Sequence, residues 1–323
     1  AKINHKNSEL GLTYNLSYND FGGNIYDEKA QYKLNDGSNY IISRNDIDSR
    51  SCNIGNTFEL KYNLADSASY VFQTSLSANF NHTPGDYNKR LITDNGNEYI
   101  SETRNKESLK SPAVDIYFFH KLGNHQNITA NFVGTAISTN EYNYNDEGSP
   151  YEYTTSGNTW SMMSEAIYEN ILNSVTVSAG IRNNIKYTKN KYSGSVDTTN
   201  RMHNYGTYIF GELKGHWNKL GYVVGFGISN QRYGQGKDSY NYWLMRPKAT
   251  ISYSLNKNLV MNYSFEIYEH ISKIAMISDT KIKKNSREWI VGNSDLQPNR
   301  VTTNTLRLSY SRRRFNSITD IQY

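Results

Sequence analysis

Cysteine is almost absent. Cys52 stands alone among 323 residues, which excludes an intramolecular disulfide framework and any multi-cysteine metal cluster. No apolar run approaches the roughly 18 residues of a membrane-crossing helix, so a transmembrane helix is excluded. No block of about five or six like charges exists to form a nucleic-acid arm, and the net charge of +5 is spread over the whole length. The N-terminus, AKINHKNSEL, has no apolar core and is not a signal peptide, which by itself does not fix the compartment. Hydrophobic residues reach only 37 % and the mean hydropathy is -0.75, both low for a soluble core of this size.

Tyrosine is what the chain has in quantity: 28 residues, against 11 Phe and 4 Trp. It is the aromatic suited to a half-wet boundary, with an apolar ring and a polar tip. Apolar residues alternate with polar or bare ones along extended stretches. In WNKLGYVVGFGIS (217–229), Tyr222, Val224, Phe226 and Ile228 share one side, and Gly221, Val223, Gly225, Gly227 and Ser229 share the other. Leu10, Leu12, Tyr14, Leu16 and Tyr18 form a similar row, as do Phe58, Leu60, Tyr62 and Leu64. The pattern returns at Tyr70–Phe80, Ile128–Ala136, Val175–Ile181, Ala249–Ile267 and Leu306–Tyr310. Helical spacing is not sustained anywhere comparable, so the chain reads as strands, about 14 of them.

Short polar corners are expected near 19–23, 63–69, 122–127, 169–174, 217–221, 254–258 and 311–315. Between them lie long polar segments, 35–50, 82–108, 140–158, 189–203, 231–241 and 270–301, which read as loops. Several alternating runs reach ten residues or more, the length of a tilted strand crossing a bilayer (about 9–11 residues) and longer than a typical sandwich strand (about 5–6). In hydrocarbon, strands satisfy their backbone only in a closed barrel. The expected fold is therefore all-β: a transmembrane antiparallel up-and-down β-barrel with short periplasmic turns and long extracellular loops. Tyr62 and Tyr70, Trp217 and Tyr222, and Tyr253 and Tyr263 flank three short corners, as an interfacial aromatic girdle does.

Catalytic signals are missing. The seven histidines form no HxxxH, HxH or HExxH spacing, which leaves only a metal site assembled from separate loops. An outer-membrane esterase needs a serine, a histidine and an orienting group; no GxSxG elbow is present and nothing singles out a pair. No enzymatic activity, cofactor or metal is expected. The run Arg312, Arg313, Arg314 at a corner reads as a solvated turn, not a nucleic-acid contact.

The stretch WIVGNSDLQPNRVTTNTLRLSYS (289–311) resembles the Gly-Asn-Pro-x-Leu-Lys-Pro-Glu segment, and the strand after it, in barrels of TonB-dependent outer-membrane receptors. Gly292, Asn293, Leu296 and Pro298 match; Ser294, Gln297 and Asn299 stand where that family usually has Pro, Lys and Glu. Residues 240–267 resemble the strand–turn–strand before that segment, and NSELGLTYNLSYN resembles the first barrel strands after a plug domain. The resemblance implies a barrel of about 22 strands around an N-terminal plug, energised through TonB. Residues 1–323 would then be an outer-membrane β-barrel region of a Gram-negative bacterium, lacking the plug and about the last eight strands. SITDIQY alternates weakly, so Tyr323 is read as an internal cut rather than a barrel's closing aromatic.

The function so implied is a TonB-dependent transporter taking up a scarce solute: a siderophore, glycan or peptide. Its partners would be outer-membrane lipid, the TonB complex through a plug outside this chain, a surface lipoprotein and a small solute. Two rivals stay open, a passive 14-stranded channel and a soluble carbohydrate-binding β-protein. Loops 82–108, 140–158 and 270–301 are the expected ligand contacts, with Tyr87, Tyr142, Tyr144, Tyr151 and Tyr153 as stacking candidates. Gly292, Asn293, Leu296 and Pro298 are expected to be structural: Gly and Asn tolerate left-handed backbone, and Pro fixes φ where no ladder donor is needed. Tyr222, Val224, Phe226 and Ile228 are expected to face lipid.

Overall fold

Strict alternation over long stretches favours strands that run without interruption, and the computed structural model has them. It describes every residue except 24, 67–68, 237, 271–277, 294 and 297. The strands are β1 (Lys2–His5), β2 (Ser8–Gly22), β3 (Asp27–Lys33), β4 (Asn39–Asp66), β5 (Tyr70–Asp94), β6 (Asn97–Lys121), β7 (Gln126–Asp146), β8 (Pro150–Leu172), β9 (Val175–Gly194), β10 (Thr198–Trp217), β11 (Leu220–Gln235), β12 (Asp238–Asn256), β13 (Leu259–His270), β14 (Ile282–Lys283), β15 (Trp289–Ile290), β16 (Asn299–Arg312) and β17 (Phe315–Gln322). Fifteen of them form one antiparallel sheet in the order β1-β2-β4-β5-β6-β7-β8-β9-β10-β11-β12-β13-β16-β17, with β3 also on β4. β14 and β15 form a separate small hairpin.

Two expectations change. The polar segment 19–23 is not a corner. Gly22 pairs with Arg50 and Asp27 with Asn45, so β2 and β3 lie in one register along β4, parted only by a short break. All of the long polar segments except 270–301 are likewise largely paired strand rather than irregular loop. Tyr87 sits opposite Arg104 inside the β5–β6 hairpin, which turns at Asn95 and Gly96, with φ of 49° and 85°. Asn-Gly is the pair that a two-residue hairpin turn with both central φ positive requires, and it was present in the sequence as a turn signal. At the other end, tight turns fall at 6–7, 173–174, 218–219 and 313–314, where Lys6, Asn173, Asn218 and Arg313 take positive φ.

A strand turns successive side chains to opposite faces, so an unbroken register sorts the whole sheet. One face collects the apolar rows. Val224, Phe226 and Ile228 are 49 %, 50 % and 43 % exposed there, beside Ile209, Leu213, Met245 and Ile251. A soluble protein would have to pack such rows against each other; here they are bare. Tyr222 shares this face and folds its ring over Gly215.

Aromatics bound the apolar band on both sides. Tyr168, Trp217 and Tyr253 lie by the short turns, and Trp160, Tyr187, Tyr205 and Trp243 lie further along the same face. Trp160 packs on Tyr187 with ring centroids 6.0 Å apart, and Tyr187 on His203 at 4.8 Å. From Trp160 to Tyr168 the strand matches the roughly 9–11 residues with which a tilted strand crosses a bilayer. β5 and β6 are each 25 residues long, so polar hairpin projects well beyond that band.

The opposite face is polar and ion-paired. Arg182 meets Glu165 at 2.7 Å, Lys248 meets Glu212, and Arg246 reaches Glu266 at 3.5 Å while lying 4.3 Å over the Tyr208 ring. The glycines of β11 make this possible. A Cβ at Gly227 would come within 2.4 Å of the Tyr208 ring, and one at Gly225 within 2.7 Å of the Lys248 side chain. The bare positions of the GFG stretch are thus the floor on which a neighbouring Tyr and Lys lie flat.

Substituting Phe226→Arg should weaken folding into lipid vesicles by about 2–4 kcal/mol, the cost of a charge on a barrel's lipid face near the midplane. Ser77→Arg, on the polar face, should cost under about 1 kcal/mol. Urea titration of the two variants in vesicles reads the difference; equal costs would contradict the sidedness.

Candidate functional site

Beyond the apolar band the polar face is covered by a segment from the β13–β16 connection. The backbone N–H of Gly292 donates to the Ser278 carbonyl at 2.8 Å, and β14 pairs with β15, so residues 278–292 form a compact hairpin. Its tip is set by Asn285, whose Oδ1 accepts from the backbone N–H groups of Arg287 and Glu288.

This hairpin touches much of the wall. At its base Asn200 of β10 donates to Ser278 Oγ and Thr280 Oγ1 at 2.6 and 2.7 Å, and Tyr233 of β11 donates to the Leu296 carbonyl. Midway, Asn145 donates to the Lys284 carbonyl at 2.7 Å, Lys283 donates to Ser149, and Trp289 packs edge-on against Tyr151 at 5.9 Å. At the tip Arg287 donates to the Tyr40 hydroxyl at 2.7 Å and stacks 4.2 Å over its ring. Tyr40 in turn donates to Asp94, and Tyr32 donates to Glu288 at 3.2 Å. One hairpin thus bonds Tyr40 of β4 and Asn200 of β10, strands six places apart in the sheet order, on the polar face, as a wall curled around it allows.

The strongest anchor is buried. Arg44 of β4 is 1 % exposed and donates from Nε and Nη2 to the two carboxylate oxygens of Glu147, both at 3.0 Å. Ser286 of the hairpin donates to the same carboxylate. Burial opposes the charge on Glu147, but the hydrogen bonds from Arg44 and Ser286 outweigh it and hold its pKa below the usual carboxylate range. Glu288 is also lowered, chiefly by its hydrogen bond with Lys284. Behind the anchor, Ile42 and Ile92 are fully buried together with Tyr40, a small apolar core far from the membrane band.

Between the hairpin and strands β5 to β8 lies a hollow of about 300 Å³, lined by Arg90, Asn105, Asn143, Tyr151, Tyr153 and Lys283 among others. Register sorts the five tyrosine candidates. Asn143 faces both Asn105 and Tyr153, and Asn145 faces both Thr103 and Tyr151, all on the inner face. Tyr151 and Tyr153 therefore point inward with the hollow. Tyr87, Tyr142 and Tyr144 fall on the other parity, facing out, although Tyr144 also borders the hollow. Tyr142 donates there to Glu152 at 2.8 Å, and Arg104 stacks over Tyr144 at 5.5 Å. The inner row continues from Tyr153 to Tyr192 at 6.2 Å. Burial pushes the Tyr153 hydroxyl up to about 12 and raises Tyr192, so both remain protonated donors at neutral pH.

The expected contact segments 140–158 and 270–301 contain Asn143, Asn145, Trp289 and the hairpin, but no sequence signal singled out these residues or the hairpin's form. Amides in a polar segment look like loop filler until the register is known. In the 292–298 segment, Asn293 Oδ1 accepts from the Asp295 N–H at 2.9 Å, its carbonyl accepts from Leu296 N–H at 3.3 Å, and Pro298 is buried where β16 begins. Ser294, Gln297 and the 271–277 part of the expected 270–301 loop lie outside the described residues. Among the described residues no cluster of three His, Cys, Asp or Glu is placed to hold a metal.

No protein-family model matches the chain, and no curated protein matches it by sequence. Solved structures match by shape. The copper transporter OprC superposes with a TM-score of 0.63 at 11 % identity, over 96 % of this chain and 52 % of its own. The ferric citrate transporter FecA gives 0.55 at 13 %, over 94 % and 49 %. The alcaligin outer-membrane receptor FauA from Bordetella pertussis gives 0.53 at 12 %, over 94 % and 48 %. The chain spans about half the length of each.

Replacing Glu147 by Gln should leave buried Arg44 with only the more distant carboxylate of Glu28, 3.6 Å away, and weaken local docking by less than the roughly 3–5 kcal/mol of a buried charge left wholly unpaired. Amide hydrogen exchange across 278–292 should then accelerate while β8 and β9 stay protected. Because the Glu147 pKa is depressed, its contribution is complete above the unfolded value of about 4.3 and is lost as pH falls through the lower folded value. Trp289 emission should therefore hold steady from pH 7 to 5 and change only below about 4.3. The chain has the antiparallel barrel-wall fold of TonB-dependent outer-membrane receptors.

Proposed function

We propose that this chain is the barrel wall of an outer-membrane receptor that takes up a scarce solute, together with a plug domain and the TonB complex. The observation that carries the reading is the two-faced wall with its mouth crossed by the 278–292 hairpin. A face of bare apolar rows bounded by aromatics suits lipid; an ion-paired inner face suits water and protein. Toward the short turns the inner face holds a hydrophilic hollow of about 500 Å³ lined by Lys61, Asn63, Gln73, Ser75, Asp115 and Tyr117, the kind of surface a plug would cover. The hollow beneath the hairpin, with Tyr151 and Tyr153, is the site proposed to meet solute first. The apolar face, with Tyr222, Val224, Phe226 and Ile228, is proposed to meet outer-membrane lipid.

The natural gene product should fractionate with the outer membrane, and in whole cells protease should cut only at hairpin tips such as 95–96 and 194–197. Deleting its gene should slow growth when a required nutrient is limiting, and deleting TonB should slow it equally, with no further loss in the double deletion. Steady ion conductance by the purified natural protein in planar bilayers, with growth indifferent to TonB, would replace this reading with a passive channel.

A further inference from the structure

The hollow beneath the hairpin has a definite chemistry. Tyr151 lines it and is only 8 % exposed, yet its hydroxyl has no hydrogen-bond partner among the described residues. The Nδ2 of Asn143, in the same lining, is also buried without a partner. A buried polar group left unpaired costs about 1–3 kcal/mol, so two in one hollow mark a place where a ligand supplies the missing bonds. The remaining polar lining combines the neutral Asn105, Asn145, Thr103 and Tyr153 with the cationic Arg90, Lys283 and Lys284. Amides and hydroxyls both donate and accept.

The cations nearby are largely committed. Arg90 pairs with Asp46 at 2.7 Å, Lys284 with Glu288 at 2.8 Å, and Lys283 donates to Ser149. A multiply charged anion such as a ferric chelate would find, among the described lining residues, a single uncompensated cation, Lys283, whose partner Ser149 is neutral. Aromatic faces are available instead. Trp289, 57 % exposed, meets Tyr151, which meets Tyr153 at 5.8 Å, which meets Tyr192. Rings with one apolar face and one wet edge suit a ligand that is itself apolar on one face and hydroxylated at its rim. At about 300 Å³ the hollow is at the lower end of small-ligand sites, roughly 300–1,000 Å³.

We infer that this hollow is a saccharide site, in which Tyr151 and Asn143 bond ring hydroxyls and the Trp289–Tyr151–Tyr153 row takes the sugar faces. The inference rests on the receptor reading above and names its solute class: a neutral or weakly acidic glycan rather than a metal chelate.

The test is calorimetric titration of the purified natural protein with a panel of neutral disaccharides and short oligosaccharides, with ferric citrate and a ferric catecholate as comparators. At least one saccharide should bind and the chelates should not. Tyr151→Phe removes the unpaired hydroxyl, so without ligand it should raise the thermal midpoint or leave it unchanged, while weakening saccharide binding about tenfold. Asn143→Ala should weaken the same saccharide, with exchange protection of 278–292 retained. Loss of that protection in Asn143→Ala moves the test to Tyr151→Phe alone, where full-strength saccharide binding overturns the inference. Chelate binding with no saccharide binding, or no binding from the panel at all, also overturns it. Either result leaves the receptor reading to the TonB-deletion experiment, whose failure is seen independently.

Discussion

Everything in this molecule depends on the register of its backbone ladder. Side chains alternate with a period of two, so a slip of one residue between neighbouring strands would exchange apolar and polar rows across the rest of the sheet. From β7 to β12 the pairing runs without irregularity, and the sorting is correspondingly clean. Irregularities in β4 and β5 fall at 46–54 and 83–86, on the polar side of the apolar rows. There an extra residue bends and twists a strand without dragging an apolar row into water. The Thr83–Asp86 irregularity also shifts the parity of β5. That is why Ile92, an even-numbered residue, joins the inner core with Ile42, while Phe72, Leu76 and Phe80 lie on the outer face.

Much of the wall was legible in the sequence because the alternation is a local signal. Leu10 through Tyr18, or Tyr222 through Ile228, declare a face within a few residues of themselves. The short corners were legible for the same reason, being polar interruptions of strong patterns. The break at 19–23 was misread because a polar, glycine-rich stretch inside one strand looks the same as one between two strands. Only pairing to a third segment tells them apart, and here β4 supplies it. The hairpin extensions were misread as loops because neither of their faces is apolar. With water on the outside and a polar mouth inside, alternation loses its contrast even though the backbone stays paired.

The mouth hairpin was illegible for a different reason. Its anchors join residues far apart in the chain: Ser286 with Glu147 across 139 positions, and Tyr32 with Glu288 across 256. No local pattern encodes such contacts. Arg44, Glu147 and Arg287 look in sequence like ordinary surface charges. They become an anchor only when curvature brings β4, the β7–β8 turn and the hairpin tip to one place. The same holds for the five tyrosines, which composition marks equally and the register divides into two facing in and three facing out.

Wall and hairpin are held by different forces, and that difference gives the site its character. The wall is a continuous ladder in which each strand shares many backbone bonds with its neighbours. Among the described residues the hairpin pairs its backbone within itself through β14 and β15 and meets the wall through side chains. Side-chain contacts of this kind contribute about 0.5–3 kcal/mol each, and less where exposed. The hairpin is thus the part of the mouth that can separate from the wall while the barrel stays intact. A ligand in the hollow touches both bodies at once, with Asn143, Tyr151 and Tyr153 on the wall and Lys283 and Ile290 on the hairpin. Whatever binds there adds bonds across that joint, so occupancy and the position of the hairpin are linked by the same free energy. In the receptor proposed above, coupling between solute capture and the closed mouth would need no further device than this.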